Sequence, residues 1–247
     1  GLVFGSGFSF GKGAETINTI RRNEIGIRPY TSSLESGFFR GAGVSLGDKK
    51  WSYTMIFSSN NQDATVLSDT TYSDFDEHVS SIQATGYHRK PTELTARDRI
   101  KEKVFGGALA YETRHFNLGG TFLLNQFDIP LQKKPNNYNQ YEFRGSQNWV
   151  GSFYGSLLWQ NLNLFGEFAR SASGGQAAYG GVIASLSPTI DLSFSLRNYD
   201  KNFHSFYANG FGENSRTINE KGVYWGLKFK PIKKIELTGY YDHFEFP

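Results

Sequence analysis

Alternation of apolar and polar residues is the most informative feature of this sequence. From residue 190 to residue 197 every second side chain is large and apolar, and those between are Asp, Ser, Ser and Arg. Residues 51–58 and 223–230 follow the same period, as do residues 149–159 with glycines at some positions. A two-residue period predicts β-strands whose two faces meet different surroundings.

The links between these strands alternate strictly in length. Short links rich in turn-forming residues lie at 47–50, 114–117, 160–161, 187–189 and 231–234. Longer polar links lie at 12–36, 60–103, 128–148, 171–176 and 200–222. Outer-membrane barrels have this arrangement, with short periplasmic turns and long extracellular loops. A soluble sandwich has no reason to sort its loops by length.

The pattern predicts eleven strands, at residues 2–10, 37–46, 51–59, 104–113, 118–127, 149–159, 163–171, 177–186, 190–199, 223–230 and 235–244. Most have the length that crosses a bilayer at a tilt. Because bacterial single-chain barrels have even strand numbers, either one strand is missed or the barrel continues elsewhere. We therefore expect an all-β, antiparallel up-and-down transmembrane β-barrel, with residues 1–247 as one outer-membrane region that is incomplete at one or both ends.

Two local features complete the expected fold. Phe38, Phe39 and Arg40 fit neither face of the second predicted strand and indicate a bulge. Residues 95–103, which follow Pro91 and Glu93, have a composition compatible with a short helix or with coil.

Composition excludes several classes of protein. Aromatic residues make up 16% of the chain and Met occurs once, and no run approaches the ~18 apolar residues of a membrane helix. The absence of Cys excludes disulfides, thiolate zinc sites and cysteine nucleophiles. A net charge of +3 is too small to mark a nucleic-acid-binding domain. The first residues have strand-like sequence and lack the features of a signal peptide. We expect either that a signal peptide has been removed or that this sequence is an internal part of a longer protein.

Four segments resemble the C-terminal region of large Bacteroidota envelope proteins known as helix-hairpin-helix domain-containing proteins. The matching segments are residues 86–94, 165–169, 197–199 together with 203–205, and 219–226, in a consistent order over most of the chain. The resemblance implies an outer-membrane barrel that follows a helical module. That module has no counterpart in this sequence, so a role in DNA uptake rests on family analogy alone.

Catalytic and metal-binding residues are few. The five histidines are His78, His88, His115, His204 and His243. His204 and Ser205, which follow Asn198, supply the residue types of a hydrolase, although a polar loop beyond a strand explains them as well. Asp74, Asp76, Glu77 and His78 supply oxygen and nitrogen ligands for a hard cation, but their spacing is not that of an EF-hand, and a solvated loop is the favoured interpretation.

Strand alternation assigns side chains to the two faces of the predicted barrel. The lumen-facing polar residues are predicted to be Glu112, Glu167, Arg197, Lys228 and Asp242. Charges there either line an aqueous path or cross-link a filled interior, and inward Tyr154, Phe165 and Tyr179 favour partial filling. Leu192, Phe194, Leu227 and Phe229 are expected to face lipid. The four tryptophans near strand ends suit an interfacial aromatic girdle, or ordinary packing: Trp51, Trp149, Trp159 and Trp225.

These observations predict a non-enzymatic protein of the bacterial outer membrane that acts as an anchor, a channel or a subunit of an envelope assembly. Its expected partners are outer-membrane lipid and other envelope proteins, without direct nucleic-acid binding. We expect no cofactor and no metal. A membrane-embedded hydrolase and a soluble ligand-binding β-protein remain the alternatives.

Overall fold

The computed structural model describes residues 1–5, 13, 15–22, 38–68, 75–83, 86–137 and 139–247. The strands are β1 (Gly41–Gly47), β2 (Trp51–Gln62), β3 (Ala64–Leu67), β4 (His78–Ile82), β5 (Ile100–Glu112), β6 (Phe116–Leu131), β7 (Gly145–Trp159), β8 (Leu162–Ser171), β9 (Gln176–Ser187), β10 (Ile190–Tyr199), β11 (Glu220–Ile232) and β12 (Ile235–Glu245). A helix, α1, covers Pro91–Ala96, and a 3-10 turn covers Asn18–Ile20.

All twelve strands belong to one sheet, and its main path follows the chain in the order β1-β2-β5-β6-β7-β8-β9-β10-β11-β12. Neighbours on this path are antiparallel. The hairpin of β3 and β4 lies beside the path, where Val79 of β4 pairs in parallel with Leu131 of β6. The predicted all-β, antiparallel fold is confirmed.

Ten of the eleven predicted strands are present, and β10 has the predicted bounds. The observed strands are longer than the predicted ones mainly at the end where the long connections lie. For example, β2 continues to Gln62 and β5 begins at Ile100. Short and long connections alternate along the path as predicted, except that the link from β8 to β9 has only the four residues 172–175. We call the two ends of the sheet the short-turn end and the long-loop end.

The helix lies earlier than the predicted residues 95–103. Pro91 occupies its first turn, and the Glu93 carboxylate accepts the backbone N–H groups of Arg89 and Lys90 at 2.7 and 3.2 Å. The helix has ended by Asp98, which has a φ of 53°. Residues 100–103 are instead the first part of β5, with Ile100 and Glu102 buried.

The first predicted strand, at residues 2–10, is wrong over residues 2–5, which form no strand, and residues 6–10 lie outside the described residues. Leu2 and Val3 are fully buried. The Asn209 N–H donates to the Gly1 carbonyl at 3.0 Å, and the Gly5 N–H donates to the Tyr207 carbonyl at 3.1 Å. This segment therefore packs against a distant loop instead of joining the sheet.

One face of the sheet carries the buried residues, and we call it the inner face. Side chains of β2, β5, β6, β7, β8, β9, β10 and β11 form one apolar cluster there together with residues from outside the sheet. Within the loop 200–219, Tyr207 bonds to Glu102 of β5 and Phe211 packs on Tyr224 of β11. On a flat sheet β5 and β11 would lie about 29 Å apart. The sheet curls towards this loop and brings both strands within its reach.

The two edges of the sheet are β1 and β12, which do not pair with each other in the described residues. All residues of β1 are exposed, and nearly all of β12 are. The sheet is not closed in the described residues, and its first edge there is Gly41–Gly47.

Candidate functional site

The outer face of the sheet carries large apolar side chains that remain exposed. Phe153 is 78% exposed, and Trp159 and Trp225 are 60% and 56% exposed. Exposed apolar residues of this face recur on every strand of the path, and examples are Val44, Phe57, Phe105, Leu118, Leu157, Phe168, Leu186, Leu192, Leu227 and Leu237. We call this surface the apolar band. Monomeric soluble proteins rarely expose a continuous apolar surface of such extent.

The apolar band stops before the long-loop end. On β5 the outward sequence changes from Phe105 to Lys103, on β8 from Phe168 to Arg170, and on β10 from Leu196 to Asn198. Lys103, Arg170 and Asn198 are all exposed. A polar border therefore runs along one side of the apolar band.

The four tryptophans lie on the outer face, each at least 39% exposed. Trp51 and Trp159 occupy the short-turn end of β2 and β7, and Trp149 lies towards the other end of β7. The ten residue steps from Trp149 to Trp159 span about 33 Å along the strand, or about 25 Å across a layer crossed at ~40°. Outer-membrane barrels have an apolar band of this height between aromatic girdles.

The inner face carries most of the polar residues assigned to the lumen. Glu167 and Arg197 are 8% and 3% exposed, and Asp242 is half-buried beside Arg197. Lys228 shares their face and pairs with Glu236 at 3.3 Å. Glu112 lies beside the turn at the end of β5 and is exposed. Tyr179 is buried, whereas Tyr154 and Phe165 are half-buried.

Residues 15–22 occupy the inner face near β10 and β11. The Thr16 carbonyl accepts hydrogen bonds from Ser193 at 2.9 Å and Tyr224 at 3.0 Å. A Cβ placed on Gly226 would lie 2.0 Å from the same carbonyl. Gly226 therefore gives the backbone of this segment room to approach the sheet. The Ile20 carbonyl accepts a further bond from the Tyr179 hydroxyl.

The loop 200–219 also lies against the inner face, with Phe203 and Phe211 fully buried. The Tyr199 hydroxyl donates to the Phe211 carbonyl at 2.9 Å. The Glu220 carboxylate accepts the N–H groups of Glu213 and Asn214 at 3.0 Å. The described loops and N-terminal residues thus fill much of the inner side of the sheet.

Arg197, Glu220 and Asp242 form a buried ion cluster. Arg197 Nε lies 2.5 Å from Glu220 Oε1, and Nη1 lies 2.9 Å from Asp242 Oδ1. Glu220 was not among the predicted lumen-facing residues, because residues 200–222 were predicted to form a loop. Extending the alternation of Tyr224 and Gly222 by one step would have placed Glu220 on the inner face.

The catalytic residue types do not form a triad. Asn198 lies on the outer face, and the Ser205 hydroxyl donates to the Val3 carbonyl at 3.4 Å. The His204 ring packs edge-on against Phe143, with 5.7 Å between centroids. Burial, and then the charge of Arg216, lower the pKa of His204 to about 4.

The candidate cation-binding residues at 74–78 are partly exposed and partly buried. His78 is fully buried, whereas Asp76 and Glu77 are exposed, and Asp74 lies outside the described residues. In the described part of the chain no three His, Asp or Glu side chains lie close enough to hold a metal ion.

The chain matches no protein-family model and no curated protein. The similarity to the helix-hairpin-helix envelope proteins therefore stays a prediction. None of the helices described in the structure is both long and apolar enough to cross a membrane.

Proposed function

We propose that residues 1–247 form part of the wall of a bacterial outer-membrane β-barrel with a largely filled interior. In this proposal the protein acts as an anchor or as a subunit of an envelope assembly. The long-loop end faces the cell exterior and the short turns face the periplasm.

The observation that carries the proposal is the distribution of side chains between the two faces. Large apolar residues are exposed on the outer face, whereas buried charges and hydroxyls such as Arg197, Ser193 and Ser195 lie on the inner face. A soluble β-protein buries its apolar face and exposes its polar one. A strand between lipid and a polar interior requires the opposite arrangement.

Filling of the interior favours an anchor or assembly subunit over a passive pore. Leu2, Ile20, Phe203 and Phe211 are essentially inaccessible to solvent and pack on strands from β2 to β11. A water-filled channel would leave the side chains of these strands hydrated.

Fractionation of the native cells tests the membrane assignment. The protein should stay in the outer-membrane fraction after a urea wash, require detergent for extraction, and migrate faster on gels when it is not boiled. Recovery as a stable monomer in detergent-free buffer would refute the assignment.

A matched pair of variants sharpens the test. Phe153→Arg places a charge within the apolar band and should reduce the amount of protein in the membrane. Lys103→Arg keeps the charge at the polar border and should leave that amount unchanged. If the protein were soluble, Phe153→Arg would instead be harmless or improve solubility. Purified protein in planar bilayers should show no steady conductance, and a stable open channel would contradict the filled interior.

A further inference from the structure

Two adjoining cavities open at the long-loop end of the sheet, with volumes of about 450 and 520 Å³. Both are lined by Ile82 and Phe206, which therefore form a common wall. The smaller one, which we call the mouth cavity, lies between the ends of β2 and β5 and the loop residue Tyr207. Its volume is that of a small-molecule site.

A satisfied polar network forms the floor of the mouth cavity. Glu102 is 3% exposed, and its two carboxylate oxygens accept the Tyr207 hydroxyl at 2.8 Å. The amides of Asn125 and Gln62 donate to the same carboxylate. These bonds occupy the Glu102 carboxylate, so it is not available to a ligand. They also hold the side chains of the floor in fixed positions.

Asp63, which is 9% exposed, fixes the residues that form one side of the mouth cavity. Its carboxylate lies 2.7 Å from His88 Nε2 and accepts the Asp98 N–H at 3.0 Å. His88 precedes α1 and Asp98 follows it, so one carboxylate fixes both ends of the helical segment. The cavity is preformed by these contacts, which lowers the entropic cost of binding a ligand.

Side-chain amides remain to bind a ligand. The Gln83 side chain makes no hydrogen bond to the described part of the chain, and the Asn60 amide makes only a long bond of 3.4 Å to the Phe38 carbonyl. Each carboxamide offers a donor and an acceptor. Phe206 adds an aromatic ring that is 38% exposed.

Charge argues against a strongly anionic or cationic ligand. Arg40 and Arg97 line the mouth cavity together with the carboxylates of Asp63, Asp98 and Glu102. Arg97 lies 3.4 Å from Asp98, and Glu102 is fully hydrogen-bonded. Neutral hydroxyl groups, which both donate and accept hydrogen bonds, match unengaged carboxamides better than phosphates or ammonium groups do.

We propose that the mouth cavity binds a neutral polyhydroxylated ligand, namely a sugar unit of a glycan. Asn60 and Gln83 bind its hydroxyl groups, and the Phe206 ring packs on the C–H face of the sugar. The adjoining cavity, with Phe143 and Phe203 in its wall, accommodates the next unit. This proposal goes beyond the proposed function, because it concerns the long-loop end of the sheet and not the apolar band.

The test is a titration of the purified chain with maltose, cellobiose and N,N′-diacetylchitobiose, followed by saturation-transfer NMR. At least one disaccharide should bind saturably, and Asn60→Ala/Gln83→Ala should weaken it by about tenfold or more. Asn137→Ala/Gln140→Ala, which removes two exposed amides that line neither cavity, should bind like the wild type. Thermal unfolding of each variant reports whether the fold is intact, and Gln83→Ser serves as a milder variant.

Three results would overturn the proposal: no saturable binding of any probe at about 10 mM, affinity unchanged in correctly folded Asn60→Ala/Gln83→Ala, or binding of trialanine in place of the sugars. The titration is made in detergent micelles if the protein needs detergent, and in detergent-free buffer if the membrane assignment fails. Failure of the membrane assignment and failure of the sugar site are therefore distinguishable.

Discussion

Arg197 on β10 and Glu220 on β11 form an ion pair at 2.5 Å in which both side chains are 1% exposed or less. Glu220 also binds the backbone of the loop 200–219 through Glu213 and Asn214. The same carboxylate thus joins two strands and fastens a loop to the inner face. Asp242 on β12 accepts a further hydrogen bond from Arg197 at 2.9 Å, so the cluster joins three neighbouring strands.

Arg197→Met should therefore destabilise the protein strongly. Removing one partner of a buried ion pair leaves uncompensated charge and typically costs about 3–5 kcal/mol. Lys228→Met provides the control, because its pair with Glu236 is partly exposed and is expected to contribute less than about 1 kcal/mol. Urea unfolding in micelles, monitored by tryptophan fluorescence, gives the decrease in the free energy of unfolding for both variants. Equal losses would show that the cluster has no special role.

Phe194→Arg and Asn198→Arg compare two outward positions of one strand. Phe194 lies within the apolar band and Asn198 at its polar border. In a bilayer the first change should cost about 2–4 kcal/mol and the second about 0–1 kcal/mol. Reversible unfolding in lipid vesicles gives both values. Ser195 is unsuitable as a control because it is 1% exposed, so Arg there would overpack the interior. Similar costs at Phe194 and Asn198 would argue against lipid contact.

Trypsin added to intact cells should cut after Arg89, Arg97 or Lys133, which are exposed at the long-loop end. The loop 200–219 should be cut more slowly despite its length, because Phe203 and Phe211 are buried. Lys49 and Lys50, in a short turn, should be protected until the outer membrane is permeabilised. Mass spectrometry of the released fragments identifies the sites. Early cleavage at Lys49 would reverse the proposed orientation.

His204 should make stability depend on pH. Burial, and then Arg216, lower its pKa from 6.5 to about 4 although Glu142 opposes the shift. The unfolded chain therefore takes up a proton at a higher pH than the folded chain. The stability associated with neutral His204 is complete above pH ~6.5 and is lost as the pH falls towards 4.

The measurement compares unfolding free energies at pH 7 and pH 5. The wild type should lose more stability over this interval than His204→Gln, which cannot titrate. His115→Gln, at an exposed turn, should behave like the wild type. If His204→Gln loses as much as the wild type, His204 is accessible to protons in the folded state.

Strand pairing on the path was predictable because two-faced strands have a local signal. Residues 190–199 alternate without interruption, and β10 has the predicted bounds. At the short-turn end, Gln160 adopts a φ of 54° in the predicted turn at residues 160–161. These features depend on neighbours in the sequence, so a single chain reveals them.

The filling of the interior was not predictable in the same way. Leu2, Val3 and Phe4 have the composition of a strand, but their partners are residues near 207, about two hundred positions away. Nothing local distinguishes an apolar run that joins a sheet from one that packs on it. Likewise, the floor of the mouth cavity joins Glu102 and Tyr207 across 105 positions.

The two edge strands of the sheet, β1 and β12, do not pair with each other in the described residues. Unpaired N–H and C=O groups in lipid cost several kcal/mol each, so β1 and β12 should pair with strands outside this sequence and not with each other. The chain contains no Cys, which permits disulfide scanning without background. Val44→Cys/Met55→Cys places two thiols at opposed positions of β1 and β2 and should form a disulfide readily, because opposed Cβ atoms lie about 4.5–5.5 Å apart. Val44→Cys combined with Cys at Leu237, Gly239 or Tyr241 of β12 should form none in the native membrane. Rapid formation of a disulfide in any of these three combinations would show that β1 and β12 lie side by side, and the barrel would then be closed by this chain alone.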